Sequence, residues 1–160
     1  MNQNTITGDI IGVTLRQLGA AKIREFSSHM HIVDFVLENG LEVSYVFNIT
    51  KNDKYFLQRM KPYAIPHGKF SNDKEIVEFI KEDITKFRNA SHSSNFKKFL
   101  EISEKGNDLV YTMESLFLNH NVDQVLLTRV ESAMNEIIKD IEKHKENAEV
   151  IPIVVEDVPL

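Results

Sequence analysis

There is no cysteine in this chain, and that absence removes several chemistries together. Disulfide scaffolds, thiolate nucleophiles, Cys-based zinc sites and iron–sulfur clusters are all excluded. Glycine is scarce, six in 160 residues, and no phosphate-cradling pattern is built from it. Neither Gly-x-x-x-x-Gly-Lys nor Gly-x-Gly-x-x-Gly occurs, and Gly8, Gly12 and Gly19 are too dispersed to form one. Ser27, Ser28, Ser91, Ser93 and Ser94 have histidines nearby, but none sits in the Gly-x-Ser-x-Gly of a nucleophile elbow. No apolar run approaches the ~20 residues that span a bilayer. The N-terminus MNQNTITGDIIG lacks the basic start and apolar core of a secretory signal. These absences lean away from an enzyme and leave no cofactor and no metal to expect. A cysteine-free chain suits a reducing compartment, so the expected location is cytoplasmic, with no membrane contact.

What is present is an ordinary apolar and charged content in a chain long enough to bury a core as a single domain over 1–160. The net charge of −5 argues against generic nucleic-acid binding. The charge is uneven: residues 1–70 carry eight Lys/Arg against six Asp/Glu (+2), and residues 71–160 carry eleven against eighteen (−7).

The strongest local signal runs from His29 to Met60 and spells a β-meander. Asn39-Gly40 between two alternating apolar runs marks a hairpin. A two-residue loop would pair Val36 with Val43 and Asp34 with Tyr45, setting a carboxylate against the apolar face. A three-residue loop with Gly40 left-handed in a G1 bulge pairs Phe35 with Val43, Val33 with Tyr45 and His31 with Phe47, and Asp34 then meets Ser44. A slip of one residue flips every side chain, so the consistent faces select the bulged register. Tyr45, Phe47 and Ile49 continue the inner face, 50–53 turn the chain, and Lys54 to Lys61 reads as a third strand. Pro62 and Pro66 end it, since neither donates to a ladder.

Helices flank the meander. Asp9 to Leu18 has a helical apolar face with Gly19 as its stop, a strand being the alternative. Asn72 with Glu75 has the spacing of a capping box, and Ile76, Val77, Ile80, Ile84 and Phe87 form the stripe behind it. Ser94 is expected to cap a short helix with Phe96, Phe99 and Leu100, ended by Gly106. Residues 108–120 suit either a helix or a strand. Asp123 caps a last helix whose Leu126, Val130, Ala133, Met134, Ile137 and Ile141 keep helical spacing; too few heptads for a coiled coil leave the sheet as its expected packing surface. The tail from Val150 to Leu160 is β-branched but interrupted by Pro152 and Pro159, which suits an edge strand docked in cis or on a neighbour. The fold class is therefore α+β: a three- to four-stranded antiparallel meander with an N-terminal helix and C-terminal helices packed on one face.

Candidate chemistry is sparse. His29 and His31 point to one strand face, yet two imidazoles fall short of a zinc site, and a partly buried pair at the sheet's end is the ordinary alternative. Asn119-His120-Asn121 suits a loop, whose commonest use is capping. Lys51, Lys54, Arg59, Lys61 and Lys69, among Tyr55, Phe56 and Tyr63, could hold phosphates and stack bases; lysine on an edge strand more often blocks aggregation. The leading expectation is a non-enzymatic interaction or regulatory protein, self-associating as a homodimer through the sheet edge, the last helix or the tail residues Val150, Ile151, Ile153, Val154 and Val155. The alternative is a small-molecule pocket between sheet and helices with polar contacts from His29, His31, Tyr45 or Arg59. Nucleic-acid binding through 51–70 is the third reading.

Overall fold

A computed structural model of the chain describes residues 3–24, 28–50 and 55–152, with the side chains of 3–6 left aside. The elements run α1 (Gln3–Gln17), β1 (Ser28–Val36), β2 (Glu42–Thr50), β3 (Tyr55–Lys61), β4 (Ile65–Phe70), α2 (Asp73–Ser91), α3 (Phe96–Asn119) and α4 (Gln124–Asn147). The four strands form one antiparallel sheet in the order β1-β2-β3-β4. This is the α+β meander expected from the alternation.

The hairpin adopts the bulged register. Phe35 pairs with Val43, Asp34 with Ser44, Val33 with Tyr45 and His31 with Phe47. Gly40 has φ +80°, its N–H bonds Leu37 O at 2.8 Å, and Leu37 N–H bonds Leu41 O at 2.9 Å. Asn39 Oδ1 accepts from Leu41 N–H at 3.1 Å, fixing the turn from its own side chain. The fourth strand was not assigned in the sequence, where Pro66 serves as a terminator. β4 carries Pro66 at its second position, opposite Gln58, and is an edge strand, where a missing N–H is tolerated. Two irregularities bend the ladder: Met60 is extra between the Ser44↔Lys61 and Tyr45↔Arg59 pairs, and His67 between Gln58↔Pro66 and Leu57↔Gly68.

The inner sheet face and α2 enclose the core. Leu37, Val43, Tyr45 and Leu57 meet Ile76, Ile84, Phe87 and Phe96, with Val33, Phe35, Phe47, Phe70, Phe79, Ile80 and Leu100 around them. Helix α2 begins as its sequence suggests: Asn72 Oδ1 accepts from Glu75 N–H at 2.9 Å, and Glu75 Oε2 accepts from Ser71 N–H at 2.9 Å. Val77, expected in the buried stripe, is exposed, and Phe79 takes its place.

Three expectations about the later helices need correction. Ser94 does not cap α3: the N-cap is Asn95, whose side chain makes no capping bond. Gly106 does not end a helix; α3 is continuous over Phe96–Asn119. A mid-helix glycine costs only about 1 kcal/mol, and the apolar spacing continues through it at Ile102, Leu109, Met113 and Leu116. The ambiguous segment 108–120 is thereby helical. The first turn of α3 reaches the core at Phe96, its sole buried residue. Asp123 caps α4, accepting from Leu126 N–H at 2.8 Å. Yet α4 buries none of its residues, because α2 already covers the sheet. Among the described residues, α1 likewise leaves Ile10, Ile11 and Leu15 exposed, as is Leu18 just past its end. No described helix is long and apolar enough to cross a membrane.

Candidate functional site

Arg59 lies on the inner side of β3 because it alternates in phase with Tyr55 and Leu57. It is 4 % exposed, so its charge requires a partner inside. Asp83, on the sheet-facing side of α2, supplies one: Arg59 donates to Asp83 Oδ2 at 2.7 Å. Tyr45 Oη donates to the same oxygen at 2.7 Å. Tyr63 and Phe87 close over the guanidinium, with ring centroids 4.5 and 4.6 Å from Cζ. Burial pushes the Tyr45 hydroxyl far above the ordinary phenol value; the bond to Asp83 and that carboxylate's charge add to the rise, and Arg59 opposes it. Tyr45 is thus held as a neutral donor. His67 packs its ring 4.5 Å from that of Phe79, with Nε2 buried and unbonded. Desolvation lowers its pKa and the Arg59 charge lowers it further, with Asp83 opposing.

This network joins two residues of the expected ligand set, Tyr45 and Arg59, but turns their polar atoms toward Asp83. His29 and His31 are not brought to them. Both are exposed at the far end of β1, and His31 stacks on Phe47 with centroids 4.7 Å apart and planes at 12°. Among the described residues, no three His, Cys, Asp or Glu gather as a metal site. The basic run also separates. Arg59 is withdrawn into the core, contrary to its expected role as a phosphate ligand, because strand alternation turns it inward. Lys61 pairs with Glu42, which raises its pKa through the hydrogen bond first and the charge second. Lys69 lies 5.5 Å over the Phe56 ring on the outer face, while Lys51 and Lys54 lie outside the described residues. Asn119 and His120 cap α3, with Asn119 donating to Ser115 O at 2.8 Å and His120 N–H to Leu116 O at 3.0 Å.

Of the tail residues, Val150 and Ile151 are exposed and outside any strand; Ile153, Val154 and Val155 lie outside the described residues. The outer sheet face carries Met30, Ile32 and Phe56 toward solvent. A depression of about 180 Å³ opens there, lined by Val46, Asn48, Phe56, Gln58, Pro66 and Gly68. Asn48 Oδ1 is buried in that region without a hydrogen-bond partner.

The largest uncovered apolar surface is helical. In α4, Leu127, Val130, Met134, Ile137 and Ile141 recur at alternating spacings of three and four residues, the seam of a packed helix. Met134, Ile137, Ile138 and Ile141 remain 41 % to 62 % exposed. In α3, Val110, Tyr111, Phe117 and Leu118 are 60 % to 71 % exposed. Only around the connecting turn does burial appear: Met113, Leu116, Val122, Leu126, Leu127 and Val130 are half-buried, as two antiparallel helices packed at their joined ends would make them. Comparison of the chain with protein families, with curated proteins and with solved structures gives no match.

Proposed function

We propose that this chain is a non-enzymatic interaction or regulatory protein that works through contact with another polypeptide, its own copy included. The carrying observation is the apolar seam of α4, half-buried only at Leu127 and Val130 and exposed from Met134 to Ile141. A helix whose seam meets only water gains little from packing, and helices draw most of their stability from packing. The accessible surface agrees: the chain presents 13379 Å², where a compact monomer of 18.5 kDa presents roughly 8,200 Å². β1 adds a second surface. It is an edge strand of nine residues without lysine or proline, the kind that accepts a further strand.

The test is hydrogen exchange on the full chain, alone and with any captured partner. Amides of 124–147 are expected to exchange slowly only when the seam is covered. Exchange at random-coil rates under all conditions, with no binding of an apolar dye, would reject the reading.

A second reading, small-molecule binding, is favoured by one observation, the buried and unbonded Asn48 Oδ1 beside the outer depression. A compact apolar ligand bearing one N–H or O–H donor would satisfy that acceptor. Loss of ligand-induced thermal stabilisation in Asn48→Leu would support it, and an unchanged shift would count against it.

A further inference from the structure

We infer that the partner of the α3–α4 hairpin is a second copy of this chain, two hairpins packing about a two-fold axis as a four-helix bundle. The inference rests on the interaction reading above and names its partner.

The physical reason begins in the sequence 109–118, Leu-Val-Tyr-Thr-Met-Glu-Ser-Leu-Phe-Leu, which holds one charge, Glu114. At 100° per residue, Leu109, Met113 and Leu116 fall on one side of α3. Phe117, Val110, Leu118 and Tyr111 spread from there across the adjacent side with Glu114 between them, so a mainly apolar arc covers more than half the circumference. One antiparallel neighbour covers a narrower stripe than that. Helix α4 covers the first side only next to the turn, where Met113 and Leu116 are half-buried, and Leu109 on that side stays 41 % exposed. The second side, with Val110, Tyr111, Phe117 and Leu118, faces water. A helix of a four-helix bundle touches two neighbours, and two apolar sides are what that position requires.

The area is sufficient. The exposed parts of these four residues, with Met134, Ile137, Ile138 and Ile141, come to about 1,000 Å² per chain, against about 800 Å² per partner in a standard stable interface. Charge permits self-contact: α3 and α4 together carry seven Lys/Arg and nine Asp/Glu, so neither sign dominates. A two-fold contact sets a face against its own copy, and a near-balanced charge does not oppose that. The sheet domain stays clear of it, since Phe96 and Leu100 seat the start of α3 in the core and the remaining nineteen residues to Asn119 project about 28 Å from it.

The test measures the mass of the full chain by light scattering across about 1 to 100 μM, bracketing micromolar affinity. The parent is expected at twice 18.5 kDa. Val110→Glu/Phe117→Glu is expected to be monomeric, with dimer affinity reduced at least about 100-fold and far-UV circular dichroism of the sheet retained. Ile32→Glu, on the outer sheet face, is expected to leave the dimer intact. A parent that stays monomeric while binding an apolar dye that Val110→Glu/Phe117→Glu does not bind overturns the second copy as partner and leaves the interaction reading standing. A dimer that survives Val110→Glu/Phe117→Glu, or one broken by Ile32→Pro in β1 alone, also overturns it. A monomer that binds no dye overturns both.

Discussion

Removing the Asp83 carboxylate should unfold much of the protein's margin of stability. In Asp83→Ala the Arg59 guanidinium, 4 % exposed, loses its ion-pair partner at 2.7 Å. Breaking a buried pair from one side costs about 3–5 kcal/mol, because the surviving charge stays desolvated. The Tyr45 hydroxyl loses its acceptor at the same time, adding a share of the ~1–3 kcal/mol of an unsatisfied buried donor. The two effects act on one oxygen and are not additive, so about 4 kcal/mol is the expected loss. That is a large part of the ~5–15 kcal/mol typical of a folded protein. Replacing both ends, Arg59→Met with Asp83→Leu, removes the stranded charge and should recover most of it, since apolar substitutes for buried pairs are often neutral. The assay is urea unfolding followed by circular dichroism at one fixed protein concentration, because a dimer's stability depends on concentration. An Asp83→Ala cost below about 1 kcal/mol, or single effects that add in the double variant within ~0.5 kcal/mol, would show that the pair is not desolvated.

Two further outcomes follow from single positions. Gly40 holds φ +80° in the hairpin, and nothing within 4 Å would obstruct a Cβ there, so the penalty of Gly40→Val is backbone strain of about 1–3 kcal/mol; an unchanged melting temperature would refute the bulged turn. His67 has its pKa lowered from 6.5, first by burial and then by Arg59. The folded state therefore binds fewer protons than the unfolded one, and stability, fully present above pH 6.5, falls as pH drops through the lowered value. His67→Phe, which keeps a ring against Phe79, should flatten that slope, and a parallel slope in the variant would locate the proton elsewhere.

The meander was legible because strand register has a binary answer. Once Asn39-Gly40 fixed the turn, only the three-residue loop kept Asp34 off the side of Val43 and Tyr45. The cap at Asn72 was equally local. Arg59 shows where locality fails. Counted by charge it joined a basic run with Lys51, Lys54, Lys61 and Lys69; counted by alternation with Tyr55 and Leu57 it belonged inside, and alternation decided. The matching signal was Asp83, a carboxylate three residues after Ile80 and four before Phe87 on the buried stripe of α2. An inward arginine and an inward aspartate on separate elements imply a pair only when the helix is known to cross that strand, 24 residues away. For β4, a proline read as a terminator was in truth an edge-strand residue. For Gly106, a local preference near 1 kcal/mol was overridden by apolar spacing on both sides.

The split between covered and uncovered apolar surface follows the chain. From β1 through the first turn of α3, the inner sheet side meets α2, and Phe96 and Leu100 complete the layer; the outer side leaves Met30, Ile32 and Phe56 exposed. With the sheet's inner face occupied, α4 has no intrachain surface there, and it is half-buried only beside the turn at 120–123, at Leu126, Leu127 and Val130. From Met134 onward its seam meets no other described element. Polar substitutions along the outward side would relieve the exposure without touching the core, and the sequence instead places Val110, Tyr111, Phe117, Leu118, Ile137, Ile138 and Ile141 there. An exposed apolar surface of this extent is the feature on which the proposed contact with a second polypeptide rests.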